Sequence, residues 1–211
     1  MNNVKGFGAP ARRVTLALAV AALFQAGSAV AALELRDLNG HATAVAADAE
    51  FAYDTVLDAT WYLTANHTGL NWHDARSWAS GLVVGTFSGW SLPSADSRCG
   101  HDFYCTNSQM GELYYTALGN AAGGPLSNTG PFKNLPSVIY WSGTEHPSDP
   151  DAAWGIDFFN GIQSGYRKLG DLSALAVRPG DVAAVPEPGT VALLLSGLAG
   201  VMVMRRRPVG S

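Results

Sequence analysis

Two apolar segments, each flanked by basic residues, bracket this chain and take its two ends out of the material available for a fold. Near the N-terminus Lys5, Arg12 and Arg13 precede Val14 to Phe24, an apolar run broken only by Thr15. Ala29-Val30-Ala31 or Val30-Ala31-Ala32 then supplies the small residues of a cleavage site, so residues 1–32 read as a secretory signal peptide. The run is shorter than the about 20 residues that a bilayer-spanning helix needs. At the other end Val185-Pro186-Glu187-Pro188 interrupts helix, Gly189 to Met204 is almost wholly apolar, and Arg205-Arg206-Arg207 stops it. Arginines there favour the cytoplasmic side. An apolar helix of about 16 residues is marginal as a permanent span and sufficient as a temporary anchor.

Six of the 13 Lys and Arg lie in these ends, and all 17 acidic residues lie between Glu34 and Glu187. That stretch therefore holds seven basic against 17 acidic residues, a net of −10. Nucleic-acid affinity rests on basic side chains that displace counterions, so a nucleic-acid partner is excluded. The 24 Gly and 11 Pro follow no triplet period, which excludes a collagen-like chain.

Pro186-Glu187-Pro188, the apolar helix and the closing Arg205, Arg206 and Arg207 resemble, in that order, the PEP-CTERM sorting signal of Gram-negative bacteria. The resemblance implies that residues 181–211 are a sorting signal recognised and processed by a membrane transpeptidase, exosortase. It also implies an exported protein of the cell envelope, cell surface or extracellular matrix, in bacteria that make exopolysaccharide. The C-terminal helix would then hold the chain in the inner membrane at least transiently.

Between the two ends about 150 residues remain, enough for one domain with a core. Residues 33–52 are Ala-rich and weakly patterned, and read as a lead-in segment. Thr55 to Leu63 carries β-branched and aromatic residues and reads as a strand, broken by Asn66-His67-Thr68-Gly69. Asn71 caps a helix with Trp72, Ala75, Trp78, Ala79 and Leu82 at helical spacing and Gly81 near its end. Gly89 to Pro93 is extended, and a second helix spans Ser108 to Leu118. Val138 to Ser142, Ala153 to Phe159 and Ala174 to Arg178 read as strands, with Asn160-Gly161 turning the chain into Ile162 to Lys168. This order predicts an α+β domain with two helices and an antiparallel sheet, its first strand pairing with its last.

A second resemblance covers residues 53–180. Trp72-x-x-Ala75-x-x-Trp78-Ala79, Gly89-Trp90-Ser91-Leu92-Pro93, Glu112-Leu113, Tyr140-Trp141-Ser142-Gly143-Thr144-Glu145, Ala153-Trp154 and Ala176-Val177-Arg178-Pro179 follow the order seen in the Lcl C-terminal-like domain family. The resemblance implies a variant of the C-type lectin-like fold. The family's W-R-L-P motif carries an arginine where this chain has Ser91, so a buried arginine bridge is either missing or supplied by Arg98 or Arg76.

Cys99 and Cys105 are the only cysteines. In an exported chain they are read as a disulfide closing a small loop, worth about 2–3 kcal/mol of chain entropy. A formylglycine-type catalytic pair and a zinc site completed by His101 are competing readings that no other residue supports. Of the six Trp, Trp72, Trp78, Trp90, Trp141 and Trp154 sit in the motifs or at core spacing and read as packing residues. Phe103, in a loop, and Tyr166, on a hairpin, are the candidate exposed ligand contacts. Asp37-x-Asn39-x-His41 with Asp48 imitates an EF-hand loop but lacks its glycine and a carboxylate. Glu145, Asp149 and Asp151 are weak metal candidates in a loop that also reads as a solvated acidic run. No cofactor is expected, calcium being the one candidate.

No H-E-x-x-H, G-x-S-x-G or Walker sequence occurs, and no catalytic residue is assigned. The expectation is a non-enzymatic envelope or matrix protein that binds exopolysaccharide or another surface protein. The alternatives are a carbohydrate-active or other enzyme on the same fold, and a structural protein that self-associates. An acidic body repels acidic polymers, which favours a neutral glycan or a contact assisted by calcium.

Overall fold

The computed structural model describes residues 33–64 and 67–183. The expected signal peptide, the expected C-terminal apolar helix, Asn66 and the sorting-signal residues Pro186, Glu187, Pro188, Arg205, Arg206 and Arg207 lie outside the described residues.

The expected strand over Thr55 to Leu63 is instead the second half of a hairpin. Strand β2 (Phe51–Asp54) is followed by a turn and then by β3 (Ala59–Tyr62). Asp54 makes the turn: its Oδ1 accepts the N–H groups of Val56 and Leu57, both at 3.0 Å, and Asp58 takes a left-handed φ of 46°. Local side-chain bonding to the backbone thus outweighs the β-branched character of Thr55 and Val56. The weakly patterned lead-in carries β1 (Leu33–Arg36), which pairs antiparallel with β2.

After β4 (His67–Leu70), helix α1 (Trp72–Gly81) begins and ends where the sequence signals it. The Asp74 N–H donates to Asn71 Oδ1 at 3.0 Å, and Asn71 Nδ2 donates back to Asp74 Oδ2 at 2.6 Å, so cap and first turn hold each other. Trp72, Ala75 and Ala79 form its buried stripe, with Trp78 half-buried beside them. The second helix is short: α2 (Gln109–Gly111) runs on as π-helix through Glu112–Ala117, and Ser108 caps it by accepting the Gly111 N–H at 3.0 Å.

The remaining strands are β5 (Ile139–Glu145), β6 (Ala152–Asp157), β7 (Gln163–Arg167), β8 (Leu172–Ala174) and β9 (Val177–Pro179). The stretch expected as one strand, Ala174 to Arg178, is divided between two sheets. Strand β8 enters a five-stranded sheet of order β4-β8-β5-β6-β7, and β9 closes a four-stranded sheet of order β1-β2-β3-β9. Leu175 and Ala176 cross between them and are buried, so their apolar character reads as strand without forming one. The single antiparallel sheet of the sequence reading is thereby corrected to two sheets, the larger one mixed because β5 and β8 run parallel. The expected pairing of first and last strands holds for β3 and β9, with Trp61 opposite Val177. The fold is α+β, with two helices and antiparallel and mixed sheets.

One indole ties α1 to the larger sheet, and a second braces β5 against β4 within it. Trp72 Nε1 donates to the Ser142 carbonyl and Trp141 Nε1 to the Leu70 carbonyl, each at 2.8 Å. Trp61, Trp72, Trp90, Trp141 and Trp154 are all buried. Neither arginine expected to replace the motif's missing one does so: Arg98 is 84% exposed and Arg76 lies on the outer face of α1. The guanidinium nearest the motif's tryptophan comes from β9, where Arg178 lies 6.0 Å from the Trp90 ring and 5.7 Å from that of Phe87. The deeply buried arginine is Arg36, held at 2.7 Å by both Glu34 and Asp181.

Candidate functional site

The polar face of α1, opposite its buried stripe, forms one wall of a cleft of about 570 Å³. His73, Arg76, Ser77 and Ser80 recur at helical spacing on that wall, and Ser91, Ser94, Gln109 and Thr144 line the rest. The far wall is fixed by a dense set of bonds. Gln109 Oε1 accepts the Ser94 N–H at 2.9 Å, Ser94 Oγ accepts the Gln109 N–H at 3.2 Å, and Thr144 Oγ1 accepts the Ala95 N–H at 3.0 Å. The Gly143 N–H donates to the Pro93 carbonyl at 2.8 Å, drawing β5 against the extended Ser91–Pro93 segment.

The lining contains four serine hydroxyls, a threonine, an amide, an imidazole and a guanidinium, and no carboxylate. Arg76 lies 4.6 Å over the buried Trp72 ring, where the ring face attracts its charge. Lys168 Nζ lies at the same distance from that ring and donates to Glu145 Oε2 at 3.1 Å and to the Pro150 carbonyl at 2.7 Å. His73 stands edge-on to Trp72 at 5.2 Å, and among the described residues no hydrogen bond joins it to a cleft serine.

Beside the cleft, Cys99 and Cys105 form a disulfide, with Cα atoms 5.6 Å apart, that closes the loop containing Phe103 and Tyr104. Both sulfurs are thereby engaged, and His101, the third member of the zinc reading, bonds Ser164 through Nδ1 at 2.9 Å. The loop presents Tyr104, 65% exposed, while its expected contact residue Phe103 is half-buried. Tyr166 is half-buried on β7 and meets the Trp141 ring edge-on at 6.3 Å; burial pushes its hydroxyl up to about 12. A hollow of about 400 Å³ lies at this loop, lined by Asp96, Arg98, Tyr104 and Asn107 besides the cystine. The Arg98 backbone N–H bonds Asp96 at 2.9 Å and holds that carboxyl below its usual range.

The acidic candidates do not converge. Glu145 faces Lys168, Asp149 accepts the Asp151 N–H at 2.9 Å, and Asp37 Oδ1 is taken up by the N–H groups of Asn39 and His41. Among the described residues no group of three or more His, Cys, Asp or Glu is placed to hold a metal ion. Titratable groups do meet in the interior, where Glu112 of the π-helical segment faces Asp54 of β2, both buried. Both Glu112 oxygens and Asp54 Oδ2 lack a donor from any other group. Burial first, and then the bond to Asp54, push the Glu112 carboxyl up to about 8. A proton retained on Glu112 supplies the donor that the pair otherwise lacks.

Sequence reasoning did not single out Ser77, Ser80, Ser91, Ser94 or Gln109 as a group. Half of the signal was available: His73, Arg76, Ser77 and Ser80 are the polar complement of the apolar stripe used to place α1. The other half depends on Gln109 meeting Ser94 across fifteen residues, which no local pattern encodes.

Residues 184–207 match the PEP-CTERM protein-sorting motif. That match takes in Pro186, Glu187, Pro188 and the three arginines, and it implies an exported, envelope-sorted protein processed by exosortase. It covers the tail and not the described domain. No curated protein gives a significant match to the chain. Among the described residues no helix is long and apolar enough to cross a membrane.

Proposed function

We propose that the domain is a non-enzymatic binding module, displayed on the cell envelope, that holds an uncharged polysaccharide in the serine-lined cleft. One observation carries this reading: a body of net charge −10 opens a polar cleft whose lining has no carboxylate. Hydroxyl, amide and imidazole groups exchange hydrogen bonds with sugar hydroxyls, and a neutral chain enters without a bridging cation. The compartment supports it, since a surface protein meets the polysaccharide made by its own cell. The ordered motifs at Trp72, Trp90, Trp141 and Trp154 further support reading the domain as a lectin-like variant, with those rings used for packing and the ligand held elsewhere.

The test is a glycan array probed with the exported protein, with calcium and with chelator. Binding to neutral glycans should survive chelation and fall about tenfold in Arg76→Ala and in Ser94→Ala, the loss expected of one good polar contact. Blank arrays under both conditions, or retention unchanged in both variants, would remove this reading.

A further inference from the structure

We propose that Tyr104 is an aromatic subsite whose ring stacks on a pyranose of the same polysaccharide chain that the serine-lined cleft holds. The proposal rests on the cleft reading above and extends it to a second contact. Tyr104 has a φ of 55°, in the left-handed region that side-chain-bearing residues rarely adopt, and at this position the chain spends that strain on displaying a ring. The disulfide closes the loop around it, and the adjacent Ser108 hydroxyl donates to the Cys105 carbonyl at 2.8 Å.

The ring is also backed. Tyr104 stacks on Tyr115 with centroids 4.8 Å apart and planes inclined by 30°, and the Tyr115 hydroxyl donates to the Gly161 carbonyl at 2.8 Å. One tyrosine thus stiffens another, leaving the outer one 65% exposed. A rigid exposed ring offers its face to apolar C–H groups at little entropic cost. Asp96, Arg98 and Asn107 share its hollow and supply acceptors and donors at the margin, where sugar hydroxyls project.

The two hollows are close enough to share a ligand. The limb that carries Ser94 in the cleft reaches Asp96 two residues later, and the limb that carries Gln109 comes from Asn107 two residues before. Two extended residues span at most about 7 Å, so the two linings adjoin along both limbs, which is the adjacency a shared oligosaccharide requires.

The experiment is affinity electrophoresis of the exported protein through gels holding laminarin, galactomannan or dextran, with Tyr104→Phe, Tyr104→Gly and Arg76→Ala alongside. Glycine matches the left-handed backbone, so Tyr104→Gly deletes the ring without straining the loop. The expected result is retardation within about twofold of wild type for Tyr104→Phe and weakened roughly tenfold for Tyr104→Gly, with melting temperatures that stay close to wild type. Retardation lost in Arg76→Ala but intact in Tyr104→Gly overturns the subsite and leaves the cleft standing. Binding lost in Tyr104→Gly together with a collapsed melting temperature makes the ring a structural cap, which also overturns it. No retardation of wild type in any of the gels overturns the cleft reading and the subsite with it.

Discussion

Single residues carry two of the sharpest consequences of this structure. Gly161 turns β6 into β7 with a φ of 86°, and a Cβ there would collide with the Tyr115 hydroxyl and the Tyr114 ring. Gly161→Ala should therefore cost about 2–4 kcal/mol, strain and overpacking together, read as a lowered urea midpoint. The second consequence is a pH dependence. Glu112 holds its proton up to about pH 8 in the folded chain, against an ordinary value of 4.5. The folded state then binds a proton that the unfolded state releases, so its contribution is complete below about pH 4.5. It declines as pH rises and is gone once pH has passed through about 8. Urea midpoints taken from pH 5 to pH 8.5 should fall, and Glu112→Gln, which keeps a donor toward Asp54 and cannot ionise, should flatten the fall. An equally steep fall in the variant would show that other groups set the dependence.

At the scale of elements, the disulfide loop joins stability to display. Replacing Cys99 and Cys105 by serine should lower stability by about 2–3 kcal/mol through the freed seven-residue loop, measured by urea denaturation under matched conditions. The same change should weaken polysaccharide retention, because Tyr104 loses the frame that sets its backbone. This pairing was legible in the sequence, since two cysteines in an exported chain leave one partner each. Helix α1 was legible for a different reason: its cap, its stripe and its stop all act within eleven residues. Strand β1 was not, because Leu33–Arg36 owes its strand to pairing with β2 and to a salt bridge from Arg36 to Asp181, far along the chain. The hairpin at Asp54 hid for the opposite reason. A carboxylate bonding its own turn leaves no mark on β-propensity, and its other oxygen faces Glu112, 58 positions away.

For the whole molecule, charge and sorting set the terms. A neutral ligand in a carboxylate-free cleft implies little counterion release, so affinity measured between 50 mM and 300 mM salt should change by less than about twofold; a steep loss with salt would point to an acidic polymer. The tail supplies a separate outcome. Intact mass of the envelope fraction should show a chain that begins near Leu33 and has lost the segment after Pro188, and Glu187→Ala should leave that segment attached in the inner membrane. The cleft, unlike the tail, was only half visible beforehand, because its two walls come from segments that the fold alone brings together.

The Arg36 clamp also has a mechanical side. Residues 181–183 lead from β9 into the tail, so any tension from a tethered C-terminus enters the domain beside Asp181. Before that load can peel β9 from β3 it meets two short bonds from Arg36, at 3.1 and 2.7 Å, rooted in the strand at the opposite edge of the same sheet. A pull on the tethered tail is therefore shared across four strands instead of being borne by the last one.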